Sequence, residues 1–111
     1  MIEAVCDCGA VRLEVGRAPE EVWECLCDGC RRMGVTWAYY HPSEVRLAKG
    51  ADQLTAYQRG GKTQDFFFCR TCGCTTHWAS HDADPDNFGV NARLLPKAVR
   101  VAAPVLWSDG P

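Results

Sequence analysis

Short runs of alternating apolar and polar residues recur along the chain. Val11, Leu13 and Val15 alternate with Arg12 and Glu14, which is the period-two pattern of a half-buried strand. Glycine, proline and aspartate separate such runs, as turn residues do. The pattern predicts strands at Glu3–Cys6, Val11–Val15, Glu21–Cys25, Val35–Tyr40, Val45–Ala48, Leu54–Gln58, Asp65–Phe68, Thr75–Ala79, Asn87–Asn91 and Val99–Ala102.

Helical signals are scarce. Asp28–Met33 predicts only a turn or two of helix, which is too short to pack as part of a bundle. Gly60-Gly61 predicts a hairpin turn between two strands. With 111 residues, we expect one mainly β domain of short elements that spans residues 1–111.

Composition is that of a globular protein, with 47% hydrophobic and 23% charged residues. No apolar run approaches the ~20 residues of a membrane span, so no membrane partner is expected. The start, MIEAVCDC, does not resemble a signal peptide, which predicts a cytoplasmic location. Reduced cysteines are typical of that compartment, so a disulfide framework is not expected.

The formal net charge is −2, which disfavours a nucleic-acid partner because such proteins need a dense positive surface. Arg31, Arg32 and Arg70 each lie next to a cysteine group. They either offset the negative charge of thiolates or are solvated surface residues.

The eight cysteines fall into three groups. Cys6 and Cys8 form C-x-C-G, Cys25, Cys27 and Cys30 form C-x-C-x-x-C, and Cys69, Cys72 and Cys74 form C-x-x-C-G-C. Gly9 and Gly73 follow the second cysteine of a group, where a metal-binding knuckle often forces a positive φ. These spacings indicate zinc rather than buried free thiols or a redox pair.

Two knuckles from distant parts of the chain make one closed tetrahedral site. The natural pairing is Cys6 and Cys8 with Cys69 and Cys72, whose sulfurs would lie ~3.8 Å apart on one zinc. Cys25, Cys27 and Cys30 then remain with three sulfurs. Either their fourth position is open, as in a catalytic zinc site, or Cys74 closes it and the site is structural.

These motifs, in this order, resemble the glutathione-dependent formaldehyde-activating enzyme family, a group that includes centromere protein V. The matching elements are C-x-C-G-x-V from Cys6, C-x-C-x-x-C-R-x-x-G from Cys25, and F-C-x-x-C-G from Phe68. The resemblance covers residues 3–94 and implies a β-tent fold of small antiparallel sheets with two zinc ions. It implies a structural zinc on Cys6, Cys8, Cys69 and Cys72, and a functional, catalytic zinc on Cys25, Cys27 and Cys30.

The activity that the resemblance implies is that of a carbon–sulfur lyase, in which glutathione sulfur adds to formaldehyde to give S-hydroxymethylglutathione. The expected partners are therefore a small thiol and an aldehyde. The alternative is a two-zinc structural or binding module without catalysis. The surroundings of Cys74 discriminate the two, because a fourth sulfur on the second zinc favours the module.

Several other residues are candidates for the site or the core. His77 and His81 could serve as a base or a fourth ligand, although a partly exposed histidine is the commoner outcome. Arg93 could meet an anionic substrate or be solvated. Tryptophan and phenylalanine are expected to fill the core, namely Trp23, Trp37, Trp78, Phe66, Phe67 and Phe68, with Trp37 also a candidate for a pocket wall beside the zinc.

Overall fold

A computed structural model describes residues 1–58 and 63–109. Within them the chain is mainly β, as the sequence predicted. The strands are β1 (Ile2–Val5), β2 (Arg12–Val15), β3 (Val22–Cys25), β4 (Trp37–Tyr40), β5 (Val45–Lys49), β6 (Leu54–Gln58), β7 (Gln64–Cys69), β8 (Thr75–Ser80), β9 (Phe88–Asn91) and β10 (Val105–Ser108). The helices are α1 (Asp28–Met33) and α2 (Lys97–Ala102), and 3₁₀ turns occur at Pro42–Glu44, Ala51–Gln53 and Ala92–Leu94.

The strands form two sheets. The smaller has the order β1-β2-β5, and the larger has the order β10-β3-β4-β9-β8-β7-β6. Neighbouring strands are antiparallel except for β10, which runs parallel to β3. β6 and β7 pair antiparallel, while the predicted turn at Gly60-Gly61 lies outside the described residues. No helix within the described ranges is long and apolar enough to cross a membrane.

The predicted strand at Val99–Ala102 is wrong, because this segment lies in helix α2. Val99 and Val101 flank Arg100, which resembles a short alternating pattern, but Val99 is partly buried and Val101 is 75% exposed, so the two valines do not share one buried face as in a strand. Pro104 ends the helix by favouring an extended Ala103, whose ψ is 127°. The chain then forms strand β10, which the sequence analysis missed.

The two faces of the larger sheet pack against different partners. One face meets the smaller sheet through a buried cluster that includes Ala38, Tyr40 and Val90 together with Leu13 and Val15. The other face carries an aromatic layer in which Trp37 and Phe66 are buried, with Trp23, Trp78 and Tyr39 partly buried against them. The prediction that six aromatic residues fill the space between the sheets is therefore wrong in its location, because the two that are buried, Trp37 and Phe66, lie on this other face of the larger sheet.

Gly89 permits the close approach of one ring in that aromatic layer. It pairs across the sheet with Tyr39 on one side and Trp78 on the other. A Cβ atom at Gly89 would lie 1.9 Å from Trp78 Nε1, so only glycine leaves room for the indole to lie across this strand. The indole then contacts the Tyr39 ring edge, with ring centroids 6.2 Å apart.

Candidate metal centres

The first cysteine cluster joins the two sheets. Cys6 and Cys8 lie in the turn after β1, Cys69 ends β7, and Cys72 lies in the turn before β8. Their four sulfur atoms all lie within 4.8 Å of one another. The structure thus brings together the four residues that the sequence paired, across some sixty positions of chain.

Two glycines shape the turns that aim these sulfurs. Gly9 and Gly73 have φ values of 80° and 79°, in the left-handed region that glycine adopts without strain. A Cβ atom at either would meet nothing within 4 Å, so the backbone conformation, not crowding, requires glycine there. The knuckle signal read from the sequence corresponds to these two turns.

The sulfur geometry of the first cluster fits zinc. Cys6 Sγ lies 3.7 Å from Cys8 Sγ, and Cys8 Sγ lies 3.6 Å from Cys69 Sγ. Tetrahedral zinc with Zn–S bonds of ~2.3 Å requires sulfurs ~3.8 Å apart. The Val11 amide also donates to Cys6 Sγ at 3.3 Å, a contact that stabilises a thiolate.

The second cluster is built on the start of helix α1. Cys25 ends β3, Cys27 is the N-cap of α1, and Cys30 lies within the helix. Their sulfurs lie within 4.8 Å of one another, and the Cys30 amide donates to Cys27 Sγ at 3.4 Å. Gly34, with φ 68°, caps the helix C-terminus and turns the chain towards β4.

Trp37 donates directly to this cluster. Its Nε1–H points at Cys30 Sγ, 3.3 Å away, while the indole itself is buried. Trp37 was a candidate for a pocket wall from its sequence position, and in the structure it also forms a hydrogen bond with a candidate ligand. An indole N–H is a donor only, so it favours the thiolate form of Cys30.

Backbone amides lower the pKa of some thiols in each cluster, and in the first cluster the Cys72 amide lowers the pKa of Cys69. The backbone N–H of Cys74 is the largest of the contacts that lower the pKa of Cys72 to about 6. Burial raises the pKa of Cys27, but the amides of Cys30 and Gly29 and its neighbouring thiols outweigh burial and bring the pKa to about 7.

Neighbouring thiols in the same clusters keep their protons. Burial raises the pKa of Cys30 to about 12 even though Trp37 opposes it. For Cys8, the Ala10 amide lowers the pKa, but burial and hydrogen bonds with the other cluster thiols prevail and raise it to about 12. Metal binding must therefore displace protons from both clusters, as thiolate sites require.

Cys74 lies at the first cluster and not at the second. It packs with Cys72 against buried Cys6 and Cys69, and its carbonyl accepts a hydrogen bond from the Cys69 amide at 3.0 Å. The Asp7 amide donates to its sulfur, which also contacts the Cys72 thiol. Among the described residues, the second cluster has three cysteine ligands and no fourth.

A groove of about 350 Å³ with a mixed polar and apolar lining runs from Met33 and Phe66, beside the second cluster, to Gly73 and Thr75. Met33 and Phe66 pack on the cluster and line the groove, and Arg32 and Tyr57 lie at its rim. Arg31 forms an ion pair with Asp28, whereas Arg32 has no ion pair within the described ranges. This difference between Arg31 and Arg32 was not predicted from the sequence, although the i,i+3 spacing of Asp28 and Arg31 on a helix favours their ion pair.

Tyr39 is a second residue that the sequence analysis did not place in the site. Burial, followed by the charges of Cys25, Cys30 and Cys27, raises the pKa of its phenol to about 12. Its hydroxyl therefore stays protonated beside the second cluster and can donate a hydrogen bond.

The remaining candidate residues lie elsewhere. His77 is buried on the opposite face of the larger sheet, stacked between Phe67 and Phe88 at centroid distances of 4.6 and 5.3 Å. His81 pairs with Asp65 at 3.1 Å. Arg93 lies 3.7 Å from Glu24 and lines a separate groove with Leu95 and Lys97.

Comparisons with known proteins agree with the motif pattern. The sequence profile of the glutathione-dependent formaldehyde-activating enzyme family matches residues 1–106, a range that includes both cysteine clusters. A crystal structure of a Rhodobacter sphaeroides protein, a structural genomics target, is similar with a TM-score of 0.77 and 35% sequence identity. That similarity covers 94% of this chain and 99% of the other.

Proposed function

Because this chain belongs to the glutathione-dependent formaldehyde-activating enzyme family, we propose that it adds a small thiol, such as glutathione, to an aldehyde. In this lyase-type reaction a carbon–sulfur bond forms between the thiol sulfur and the carbonyl carbon, and the thiol proton ends on the carbonyl oxygen. The observation that carries the proposal is the second cluster, which offers three sulfurs beside a groove and no fourth ligand within the described residues.

Two zinc ions are the proposed cofactors, since members of the family bind zinc and the sulfur donor sets suit it. Cys6, Cys8, Cys69 and Cys72 would hold the structural ion. Cys25, Cys27 and Cys30 would hold the catalytic one. When bound there, zinc supplies a Lewis acid that lowers the pKa of a thiol and polarises a carbonyl.

The chain's own side chains have separable roles in this reaction. Trp37 and Phe66 are buried beside the cluster and exclude water from its inner side. Tyr39 keeps its phenolic proton, so it can donate a hydrogen bond to an oxygen that gains negative charge. Arg32 offers a guanidinium that forms no ion pair within residues 1–58 and 63–109, and this group suits a substrate carboxylate.

The deciding experiment compares zinc-loaded wild-type protein with Cys27→Ser. Serine is a favoured N-cap, so this substitution removes one sulfur while its hydroxyl can still accept from the Cys30 amide and cap α1. NMR exchange spectroscopy on an equilibrium mixture of glutathione and formaldehyde measures the rate of adduct exchange. We expect acceleration by the wild type and none by folded Cys27→Ser.

Two other outcomes would count against the proposal. Equal acceleration by both proteins would place the chemistry away from the second cluster. No acceleration by the zinc-loaded wild type, with formaldehyde or with larger aldehydes, would favour the alternative of a non-catalytic two-zinc module.

A further inference from the structure

The first cluster contains a fifth sulfur that a tetrahedral zinc site does not need. Cys6, Cys8, Cys69 and Cys72 already provide four ligands. Cys74 nevertheless packs against the same cluster and is only partly exposed. Packing alone would not require a cysteine at this position, so the role of the fifth sulfur needs a physical explanation.

Both knuckles of the cluster contact Cys74. From the N-terminal knuckle, the Asp7 amide donates to the Cys74 sulfur, in the way that the Val11 amide donates to Cys6 Sγ. From the C-terminal knuckle, the Cys72 thiol is in hydrogen-bond contact with the Cys74 thiol. The side chain of Cys74 thus packs at the first cluster in contact with both knuckles, although its sulfur is not one of the four.

The backbone between Cys72 and Cys74 permits an exchange of roles. The single residue that separates them is Gly73, in a left-handed turn with open space around its Cα atom. The Gly73 amide and the Cys74 carbonyl are both bonded to Cys69, so the turn is anchored at its base. Replacing one sulfur by the other requires a shift of the turn tip and leaves the strands in place.

We propose that Cys74 is an alternative ligand of the first cluster, which takes the place of Cys72 on the metal when the Cys72 sulfur is lost. The first cluster then has five sulfurs for one thiophilic divalent cation. Either Cys72 or Cys74 can supply the fourth ligand. Such redundancy protects a metal that links two sheets against the loss of the Cys72 sulfur, which is partly exposed.

The test uses three variants of the full chain: Cys72→Ser, Cys74→Ser and Cys72→Ser/Cys74→Ser. Metal content is measured after purification in zinc, and cadmium-113 NMR after metal replacement reports the number of sulfurs at each site separately. We expect Cys74→Ser and Cys72→Ser each to keep the first-cluster metal with four sulfurs. We expect the double variant to lose that metal and to melt at a lower temperature.

Every other pattern overturns the proposal. If Cys72→Ser loses the first-cluster metal as the double variant does, or retains it with only three sulfurs, Cys74 does not substitute. If Cys74→Ser alone loses the metal, Cys74 is a primary ligand and not an alternative one. Catalytic activity plays no part in these measurements, so failure of the proposed function and failure of this exchange are distinguishable.

Discussion

Two adjacent arginines that follow Cys30 have different partners in the structure. Arg31 pairs with Asp28 and also donates to the Leu26 carbonyl at 3.0 Å. Arg32 has no carboxylate partner within the described residues and lines the groove beside the second cluster. At the scale of single residues, Arg32 is therefore the cation that can meet a substrate carboxylate.

Arg32→Gln should weaken the use of glutathione, which carries carboxylates, but not of 2-mercaptoethanol, which carries none. An exposed charge-assisted contact contributes about 1 kcal/mol, so the KM for glutathione should rise roughly fivefold. Adduct exchange rates measured over a range of each thiol concentration provide the test. Arg31→Gln is the matched control, and equal effects of the two variants on both thiols would remove Arg32 from substrate recognition.

His77 predicts a pH dependence of stability. Burial lowers its pKa from 6.5 to about 4, so the unfolded chain binds more protons than the folded one between these values. The free energy of unfolding therefore falls as pH decreases through this window and is unaffected by His77 above it. In zinc-loaded His77→Phe, the slope of that free energy between pH 6.5 and 5 should be smaller than in the wild type.

Denaturant unfolding at several pH values measures both slopes. Phenylalanine suits the position because Phe67 and Phe88 sandwich the ring, although the contact with Thr76 at 2.8 Å is lost. Parallel slopes in the two proteins would show that other groups account for the acid sensitivity.

At the scale of elements, Gly89 determines whether the aromatic layer can form. Gly89→Ala would drive a methyl group into the Trp78 indole, displacing the ring from Tyr39 and the second cluster. Overpacking of this kind costs about 1–3 kcal/mol. Gly16→Ala is the matched control, since its Cβ would meet only the Glu44 carbonyl at an ordinary 3.6 Å.

Thermal melts, together with tryptophan fluorescence, separate the two glycine variants. We expect Gly89→Ala to melt several degrees lower with altered fluorescence, while Gly16→Ala melts near the wild type. If both variants melt alike, the close approach across β9 is unimportant for the fold.

Most elements could be predicted from the sequence because their own residues show the local pattern, either apolar alternation or cysteine spacing, that identifies them. Alternation located the strands that bury one face, and the cysteine spacing located both cysteine clusters. The segment around Val101 was misread because a short helix with one partly buried valine repeats the apolar pattern of a strand. The edge strand β10 was missed because its pairing with β3 depends on a distant partner, and Leu106 and Trp107 stay exposed.

The position of Cys74 could not be read from the chain for a similar reason. Sequence spacing allowed it to reach either cluster once Gly73 turned. Tertiary contacts, above all the Asp7 amide from a knuckle some seventy positions away, place it at the first cluster. Long-range packing of this kind leaves no periodic signal.

At the scale of the whole molecule, the two clusters have unequal structural consequences. The first cluster connects the turn after β1, in the smaller sheet, with the β7–β8 turn of the larger sheet. The second lies on the outer face of the larger sheet. Its three cysteines all belong to one short segment, from Cys25 at the end of β3 to Cys30 in α1. A metal in the first cluster therefore links separate sheets, whereas a metal in the second links neighbouring segments of chain.

This difference predicts that loss of the first metal unfolds the molecule and loss of the second does not. Cys69→Ser replaces a fully buried sulfur at the end of β7. Structural zinc can contribute ~10 kcal/mol or more to folding, about as much as the whole stability of a small domain. We expect Cys69→Ser to lose most of its cooperative melt, and Cys27→Ser to lose one zinc while it keeps the melt of a folded protein. Circular dichroism melts with zinc assays on the same samples measure both quantities. A Cys69→Ser protein that lacks one zinc yet melts like the wild type would show that the packing of Leu13, Val15 and Val90 holds the sheets together without the metal.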